Sequence, residues 1–279
     1  MLLSIITINY NDKEGLARTM DSVLSQTYTD FEYIVIDGGS NDGSKVVIEQ
    51  YQDQLGYWVS EPDSGIYNAM NKGIKQAKGD YLLFLNSGDT LYANDTLKLT
   101  SLKISKSYSI YYGDVIRYYA DRPAEKKIYP RVLSFGFFVD SALAHQTTFI
   151  KRELFYRYFL YNENLKILSD WEFIIYAICK KNEPYKHLEL VIANYDMNGV
   201  SSQLEGRYIM LKERELTYQK YFPLFVEDYK LLINKAKENL LNANNSQTKA
   251  INKAVTNQPN RLRRAYGFFK KGLKVLIKQ

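Results

Sequence analysis

Short apolar runs, each cut off by polar residues, alternate with stretches whose apolar residues recur at helical spacing through the first third of the chain. Leu2 to Ile8, Phe31 to Ile36, Tyr57 to Val59 and Tyr81 to Leu85 are too short for helices. They read as strands, the longer ones buried on both faces. Between them, Leu16, Met20, Val23 and Leu24 share one helical face, as do Val47, Ile48, Tyr51 and Leu55, and then Ile66, Met70, Ile74 and Ala77. Asn11 or Asp12 stands where it can cap the first of these helices. Such alternation predicts an α/β fold with a parallel sheet wound by crossover helices. Its strands end in Asn9-Tyr10-Asn11, Asp37-Gly38-Gly39, Glu61 to Gly65, and Asn86-Ser87-Gly88-Asp89. Ligands of open α/β sheets bind beyond the carboxyl ends of the strands, so four polar tips on one edge predict a nucleotide cleft. The glycines after Asp37 let a ligand approach the backbone closely.

Beyond Asp89 the pattern becomes irregular. Ile110 to Tyr112 and Val115 to Tyr119 read as strands, whereas Lys126 to Pro130 and Arg131 to Asp140 read as aromatic loop. Ala144-His145-Gln146-Thr147-Thr148 leads into a helix expected near Lys151, and His145 is a candidate contact for a diphosphate or an acceptor. Trp171, Ile174, Ile175 and Ile178 form an apolar helical face, which puts Ser169 or Asp170 at a helix N-terminus and makes Asp170 a candidate N-cap. Leu188 to Ala193 reads as a strand ending in Asn194-Tyr195-Asp196, and helices are expected near 204–221 and 226–241. From Pro259 the tail carries seven Lys and Arg with no acidic residue, interleaved with apolar side chains. That composition predicts peripheral contact with an anionic membrane through 259–279.

Composition narrows the chemistry. The 279 residues, with a net charge of +6, can bury a large core. A single cysteine, Cys179, excludes an internal disulfide and a cysteine zinc cluster, and is expected to act as a small, at least half-buried hydrophobe. Two histidines leave little for a histidine-rich metal site. There is no Gly-x-Gly-x-x-Gly and no Gly-Lys-Ser/Thr, so neither dinucleotide nor P-loop binding is indicated. No apolar run reaches membrane-spanning length and the N-terminus lacks the look of a secretory leader, so a cytoplasmic protein, peripheral on the inner face of the cell membrane, is expected. No nucleic-acid partner is expected.

Taken in order, Ser4 to Asn11, Ser22 to Tyr28, Tyr33 to Gly43, Asp63 to Gly73 and Gly79 to Asp89 resemble the family 2 glycosyltransferases of the GT-A fold. The resemblance implies a mostly parallel sheet flanked by helices. A transferase domain over 1–200 would have a nucleotide-sugar half (1–90) and an acceptor half (91–200), followed by a helical C-terminal extension over 201–279. It implies inverting transfer of a sugar, usually from a UDP-sugar, to a hydroxyl of a glycan or lipid-linked acceptor. By position, Tyr10 and Asp37 match residues that hold uracil and ribose, with Thr7, Asn9 and Gly38 at the same strand ends. Asn71 matches an asparagine beside the diphosphate. Asn86, Ser87 and Asp89 fall on the Asp-x-Asp motif, so the resemblance implies that Asp89 holds Mg2+ or Mn2+. Asp170 falls where the family carries its catalytic base, and Glu172 is its rival. The motif departs from the family in keeping one carboxylate where Asp-x-Asp-Asp is common, and Ser169 stands where Glu is frequent.

The chemistry fits these residue types. A divalent ion offsets charge on a leaving diphosphate, and a carboxylate in hydrogen-bond reach takes the acceptor's proton. Two other classes compete: a glycosidase using Asp89 and Asp170 as paired carboxylates, and a non-catalytic nucleotide-sugar binder, suggested by the reduced motif.

Overall fold

The structure, a computed structural model, describes residues 3–105, 107–197, 204–228, 230–232 and 235. The tail at 259–279 and most of the helix expected at 226–241 lie outside the described residues. One compact unit runs from Met1 to Phe222 and a second from Pro223 to Gln279.

The first unit begins as a wound sheet: β1 (Leu3–Asn9), α1 (Lys13–Leu24), β2 (Phe31–Asp37), α2 (Ser44–Gln50), β3 (Tyr57–Ser60), α3 (Ile66–Gln76) and β4 (Tyr81–Phe84). Every residue of β1 and β4 is buried, because helices cover both faces of the sheet. α1 buries Leu16, Met20 and Val23, and its end is capped by Asp12, whose Oδ1 accepts from the Gly15 amide at 3.0 Å. These four strands pair in parallel in the order β3-β2-β1-β4, with Asn9 opposite Asp37 and Asp37 opposite Ser60. That register, rather than any single residue, brings the polar tips level.

The rest of the unit adds β5 (Thr90–Leu91), α4 (Thr96–Ser101), β6 (Ile110–Tyr118), β7 (Glu125–Lys127), α5 (Phe135–Asp140), β8 (Thr148–Lys151), α6 (Glu153–Arg157), α7 (Ser169–Ile175), β9 (Tyr185–Asp196) and α8 (Leu204–Tyr221). Here the sheet becomes mixed. β8 pairs antiparallel with β4 and with β6, β9 runs parallel to β6, and β5 closes the edge antiparallel to β9. The full order is β3-β2-β1-β4-β8-β6-β9-β5, with β7 paired to β6.

Several local expectations change. The stretch read as loop over 126–140 contains most of β7 and all of α5; neither has a long run of alternating or helical periodicity, β7 being fixed by its hairpin partner β6 and α5 by Trp171 and Arg214 far along the chain. The segment at Lys151 is the end of β8, and α6 begins at Glu153. α7 continues into a π turn over Tyr176–Lys180. Cys179 is half-buried, and burial pushes its thiol up to about 11.

α7 is wedged between its neighbours. Phe173 stacks on Phe155 at 4.3 Å, and Phe155 meets Phe84 of β4. On the other side Trp171 packs against Tyr218 of α8 and donates Nε1 to the Phe138 carbonyl of α5 at 3.2 Å. Arg214 of α8 covers the Trp171 ring and donates to the carbonyls of Phe138 and Val139.

Candidate active site

The polar tips form two adjoining cavities. The larger, about 760 Å³, is lined by Ile8, Asn9, Tyr10 and Asp12, by Gly38 and Gly39, by Pro62, Asp63, Gly65, Ile66 and Ala69, and by Asn86 and Ser87. The smaller, about 270 Å³, is lined by Tyr67, Asp89, His145, Gln146, Lys166, Asp170, Tyr195 and Asp196 among others. Ile66, Asn86 and Ser87 belong to both walls.

Asn9 is the keystone of the first cavity. Its Nδ2 donates to Asp37 Oδ1 at 2.6 Å, and its Oδ1 accepts from Ser87 Oγ at 2.7 Å, tying three strand tips together. Asp37 has no exposed surface and does not line the cavity. Burial works against its charge, but bonds from Ser40, Ser60 and Asn9 and the Ser40 amide prevail, holding the carboxyl below its ordinary range. Asp37 therefore braces the floor. Tyr10 is 67% exposed and offers a ring to a planar ligand. A Cβ at Gly38 would lie 2.6 Å from Asp63 Oδ2 and 3.2 Å from the Tyr10 ring, so a side chain there would fill the space between them.

Two further candidates, like Asp37, line neither cavity. Thr7 is buried and shares a hydrogen bond with the Tyr33 hydroxyl at 2.9 Å. Asn71 is buried and exchanges bonds with the main chain of Tyr161 (2.8 and 2.9 Å), with a further bond to Glu163 at 2.8 Å. It fastens α3 to the segment before α7.

Asp89 is 3% exposed. It follows a turn at Gly88, whose φ of +94° suits glycine. Oδ2 accepts from Gln146 Nε2 at 2.9 Å and Oδ1 from the Asp196 amide at 3.2 Å. Burial raises its pKa from 3.8 to about 6, against the pull of His145, Gln146 and the amides of Asp196 and Asn86. Beside it, Asn86 Oδ1 is a buried acceptor with no donor. A buried carboxylate, an unused amide oxygen and the Asp196 carboxylate on the same wall make an oxygen donor set that suits Mg2+ or Mn2+. Among the described residues no three His, Cys, Asp or Glu side chains cluster for a metal. A cation here would need substrate oxygens to complete its shell.

Asp170 stands in the same cavity. Oδ1 accepts from the Tyr67 hydroxyl at 3.0 Å and from the Trp171 amide at 2.9 Å, and Oδ2 lies 3.2 Å from His145 Nδ1. It does not cap α7, because its oxygens are engaged by these groups and the capping position is Leu168. Burial and the neighbouring carboxylate hold the Tyr67 hydroxyl well above its ordinary pKa, so it stays a donor. His145 lines the cavity, and its Nε2 is buried without a partner. Glu172 is 2% exposed and lies against α8, where Lys220 Nζ is 3.2 Å from its Oε1; it does not line the cavity.

Sequence reasoning missed Glu213. It sits on α8 with 6% exposure, and its carboxylate accepts the amides of Lys166 (2.5 Å), Ile167 (3.1 Å) and Leu168 (2.9 Å). The Ile167 carbonyl in turn accepts from the Tyr67 hydroxyl at 2.5 Å. Tyr195 and Asp196 were visible as a fifth polar strand tip, and Gln146 as the neighbour of His145.

Comparison with known proteins gives a consistent picture. The family model described as Glycosyl transferase family 2 matches residues 4–175. A PGL/p-HBAD biosynthesis glycosyltransferase of Mycobacterium bovis is 30% identical over 215 residues, covering 73% of this chain and 80% of its own. Among solved structures, Staphylococcus aureus TarS 1-349 in complex with UDP superposes with a TM-score of 0.59 and 20% identity, covering 70% of this chain and 60% of that one. The match spans 37% of the longer TarS chain. The mannosyltransferase PcManGT from Pyrobaculum calidifontis, in complex with GDP-Man and Mn2+, gives a TM-score of 0.53 at 16% identity, covering 69% and 56%.

Proposed function

This chain belongs to glycosyl transferase family 2 and has the GT-A fold, and on that premise we propose that it moves a sugar from a UDP-sugar to a hydroxyl of a lipid-linked or glycan acceptor with inversion at the anomeric carbon. The observation that carries the reading is that Asp89 and Asp170 line one cavity of about 270 Å³ whose wall is shared with the larger cleft. UDP in a related fold and the glycolipid-pathway name of the mycobacterial relative support the choice of donor and acceptor.

The base of the nucleotide stacks on Tyr10, and the diphosphate passes Gly38, Asn86 and Ser87. The sugar enters the smaller cavity. Asp89 with Asn86 would hold Mg2+ or Mn2+, which would supply Lewis-acid neutralisation of the diphosphate, and the Mn2+ complex of PcManGT supports that assignment. Asp170 takes the proton of the acceptor hydroxyl through Oδ2 as the hydroxyl oxygen bonds to the anomeric carbon. The bond from that carbon to the phosphate oxygen breaks, and its electron pair leaves with UDP. General-base assistance of this kind is typically worth about 10²–10⁴-fold. Tyr67 and the Trp171 amide hold Oδ1, leaving Oδ2 toward His145 and the acceptor. With a single displacement, no covalent nucleophile is needed.

The test is release of UDP from a panel of UDP- and GDP-sugars, with and without acceptor lipids. Acceptor-dependent release from a UDP-sugar, with an inverted linkage in the product, is the expected result. Release that ignores acceptor, or a retained anomer, would overturn the reading.

A further inference from the structure

The β6–β7 hairpin and the segment that follows it form a face unlike the rest of the surface. Residues 117–132 carry five Arg and Lys (Arg117, Arg122, Lys126, Lys127 and Arg131) against two acids, Asp121 and Glu125. Five less two is +3 along the sequence, but Arg131 is paired with Glu189 at 2.9 Å and Arg117 Nε is buried, so the charge the face presents comes from Arg122, Lys126 and Lys127. Within this basic stretch three large apolar side chains stand in solvent: Tyr118 at 48%, Ile128 at 64% and Val132 at 78% exposure.

These side chains are held outward by what lies beneath them. Tyr129, next to Ile128, is 2% exposed. Its amide donates to Asp114 Oδ1 at 3.1 Å, its hydroxyl accepts from the Ala144 amide at 3.1 Å, and its ring meets Tyr112 edge-on. The Leu133 amide donates to the Tyr185 hydroxyl at 2.9 Å. With 129 and 133 fixed inward, 128 and 132 are presented to solvent by an anchored segment.

Edge protection explains only part of this face. β7 pairs with β6 alone among the described strands, and lysines on such an edge discourage strand addition. That accounts for Lys126 and Lys127 but not for Ile128 and Val132, which would make the edge more adhesive. Positive charge with isolated apolar tips matches a surface that is anionic outside and apolar just beneath, as a lipid leaflet is.

The face also adjoins the site. In the parallel pairing of β6 with β9, Arg117 lies opposite Tyr195 and Tyr118 opposite Asp196. Tyr195 and Asp196 line the cavity that holds Asp89 and Asp170. The face is thus one strand away from the cavity wall.

We propose that residues 117–132 dock on an anionic lipid surface and bring the Asp89–Asp170 cavity to an acceptor hydroxyl carried by a lipid in that surface. The proposal rests on the glycosyl-transfer reading for its acceptor, but the docking is measured without catalysis. The experiment uses the full chain with vesicles of phosphatidylcholine alone or mixed with phosphatidylserine, read by flotation. Each basic residue near an anionic surface strengthens binding about fivefold. The charge-reversed pair Lys126→Glu/Lys127→Glu should therefore lower partitioning on mixed vesicles by about tenfold or more. Ile128→Ser/Val132→Ser should lower it several-fold on the same vesicles. Both variants should keep wild-type thermal stability and donor binding, with transfer lost selectively for vesicle-borne acceptor. Wild-type flotation of both variants would overturn the proposal and shift docking elsewhere, with 259–279 the next candidate. Equal binding to both vesicle types, or preference for an RNA competitor over mixed vesicles, would also overturn it. Failure of the transfer reading shows separately, as absence of UDP release from the floating wild-type protein.

Discussion

Replacing Glu213 by alanine removes one carboxylate from α8 and strands three main-chain donors. The amides of Lys166, Ile167 and Leu168 lose their acceptor together, and Glu213 is 6% exposed. An unsatisfied buried donor costs about 1–3 kcal/mol, and bonds to a charged acceptor lie at the stronger end. Lys166 is exposed, so water can reach its amide, whereas Leu168 is buried. The net loss should be about 3 kcal/mol, which for a domain of this size lowers Tm by about 6–12 °C. The consequence for catalysis runs through the Ile167 carbonyl, which shares the single Tyr67 hydroxyl proton with Asp170 Oδ1 and fixes where that hydroxyl sits. A misplacement of about 1 Å at a reacting group costs on the order of 10²-fold. Glu213→Ala should therefore lower kcat by about 10–100-fold while leaving UDP affinity unchanged, because the nucleotide cleft draws no residue from beyond Ser87. Glu213→Gln keeps one oxygen acceptor and should fall between. Thermal unfolding, acceptor-dependent kinetics and UDP titration read the three quantities separately. A lowered Tm with kcat intact would leave Glu213 a brace and refute its link to Asp170.

The remaining predictions concern the cavities themselves. Asp170→Asn should lose most transfer with donor affinity intact, whereas Glu172→Gln should keep turnover and lose stability through its bond to Lys220; a dead Glu172→Gln beside an active Asp170→Asn would reverse the assignment. Because the Asp89 pKa is raised from 3.8 to about 6 in the fold, its contribution to stability is fully present below about 4 and is lost as pH rises through about 6. Without metal, wild type relative to Asp89→Asn should therefore lose about 3 kcal/mol between pH 4 and pH 7 in urea unfolding, and parallel curves would show that Asp89 is not desolvated. Tyr10→Ala should raise the Kd for UDP roughly 10-fold or more through lost stacking, with no change in Tm because Tyr10 is 67% exposed; unchanged UDP binding would remove it from the site.

The sheet from β1 to β4 was legible because each of its strands is a closed apolar run and crossover helices join them, so local pattern and global topology agree. The polar tips followed from where each apolar run breaks off. Position along a strand was harder to read. Thr7 has the same parity as Asn9 but sits two residues deeper, roughly 6–7 Å, where it meets Tyr33 rather than the cleft. The family resemblance implied ligand contact for Asn71, in α3, and for Asp37. Their hydrogen-bonding capacity is taken by protein groups, Tyr161 and Glu163 for one, Ser40, Ser60 and Asn9 for the other. The mixed part of the sheet was less legible. β8 and β9 find partners far along the chain, and the partners of Glu213 are amides 45–47 residues away that carry no sequence signal. Asp170 was placed at its helix end, but the Tyr67 hydroxyl that holds it comes from a residue 103 positions earlier.

The strand order has a consequence for how the protein is made. β1 to β4 pair among themselves, so that part of the sheet can assemble while synthesis continues. β9 is the last of the described strands, yet it lies between β6 and β5, and its Asp196 amide reaches back 107 residues to Asp89. Contacts of such long sequence separation form late, since the intervening chain must first be ordered. A nascent chain halted short of residue 196 can thus possess the larger cavity without a finished smaller one beside it, so the two walls of the site are completed at different moments of synthesis.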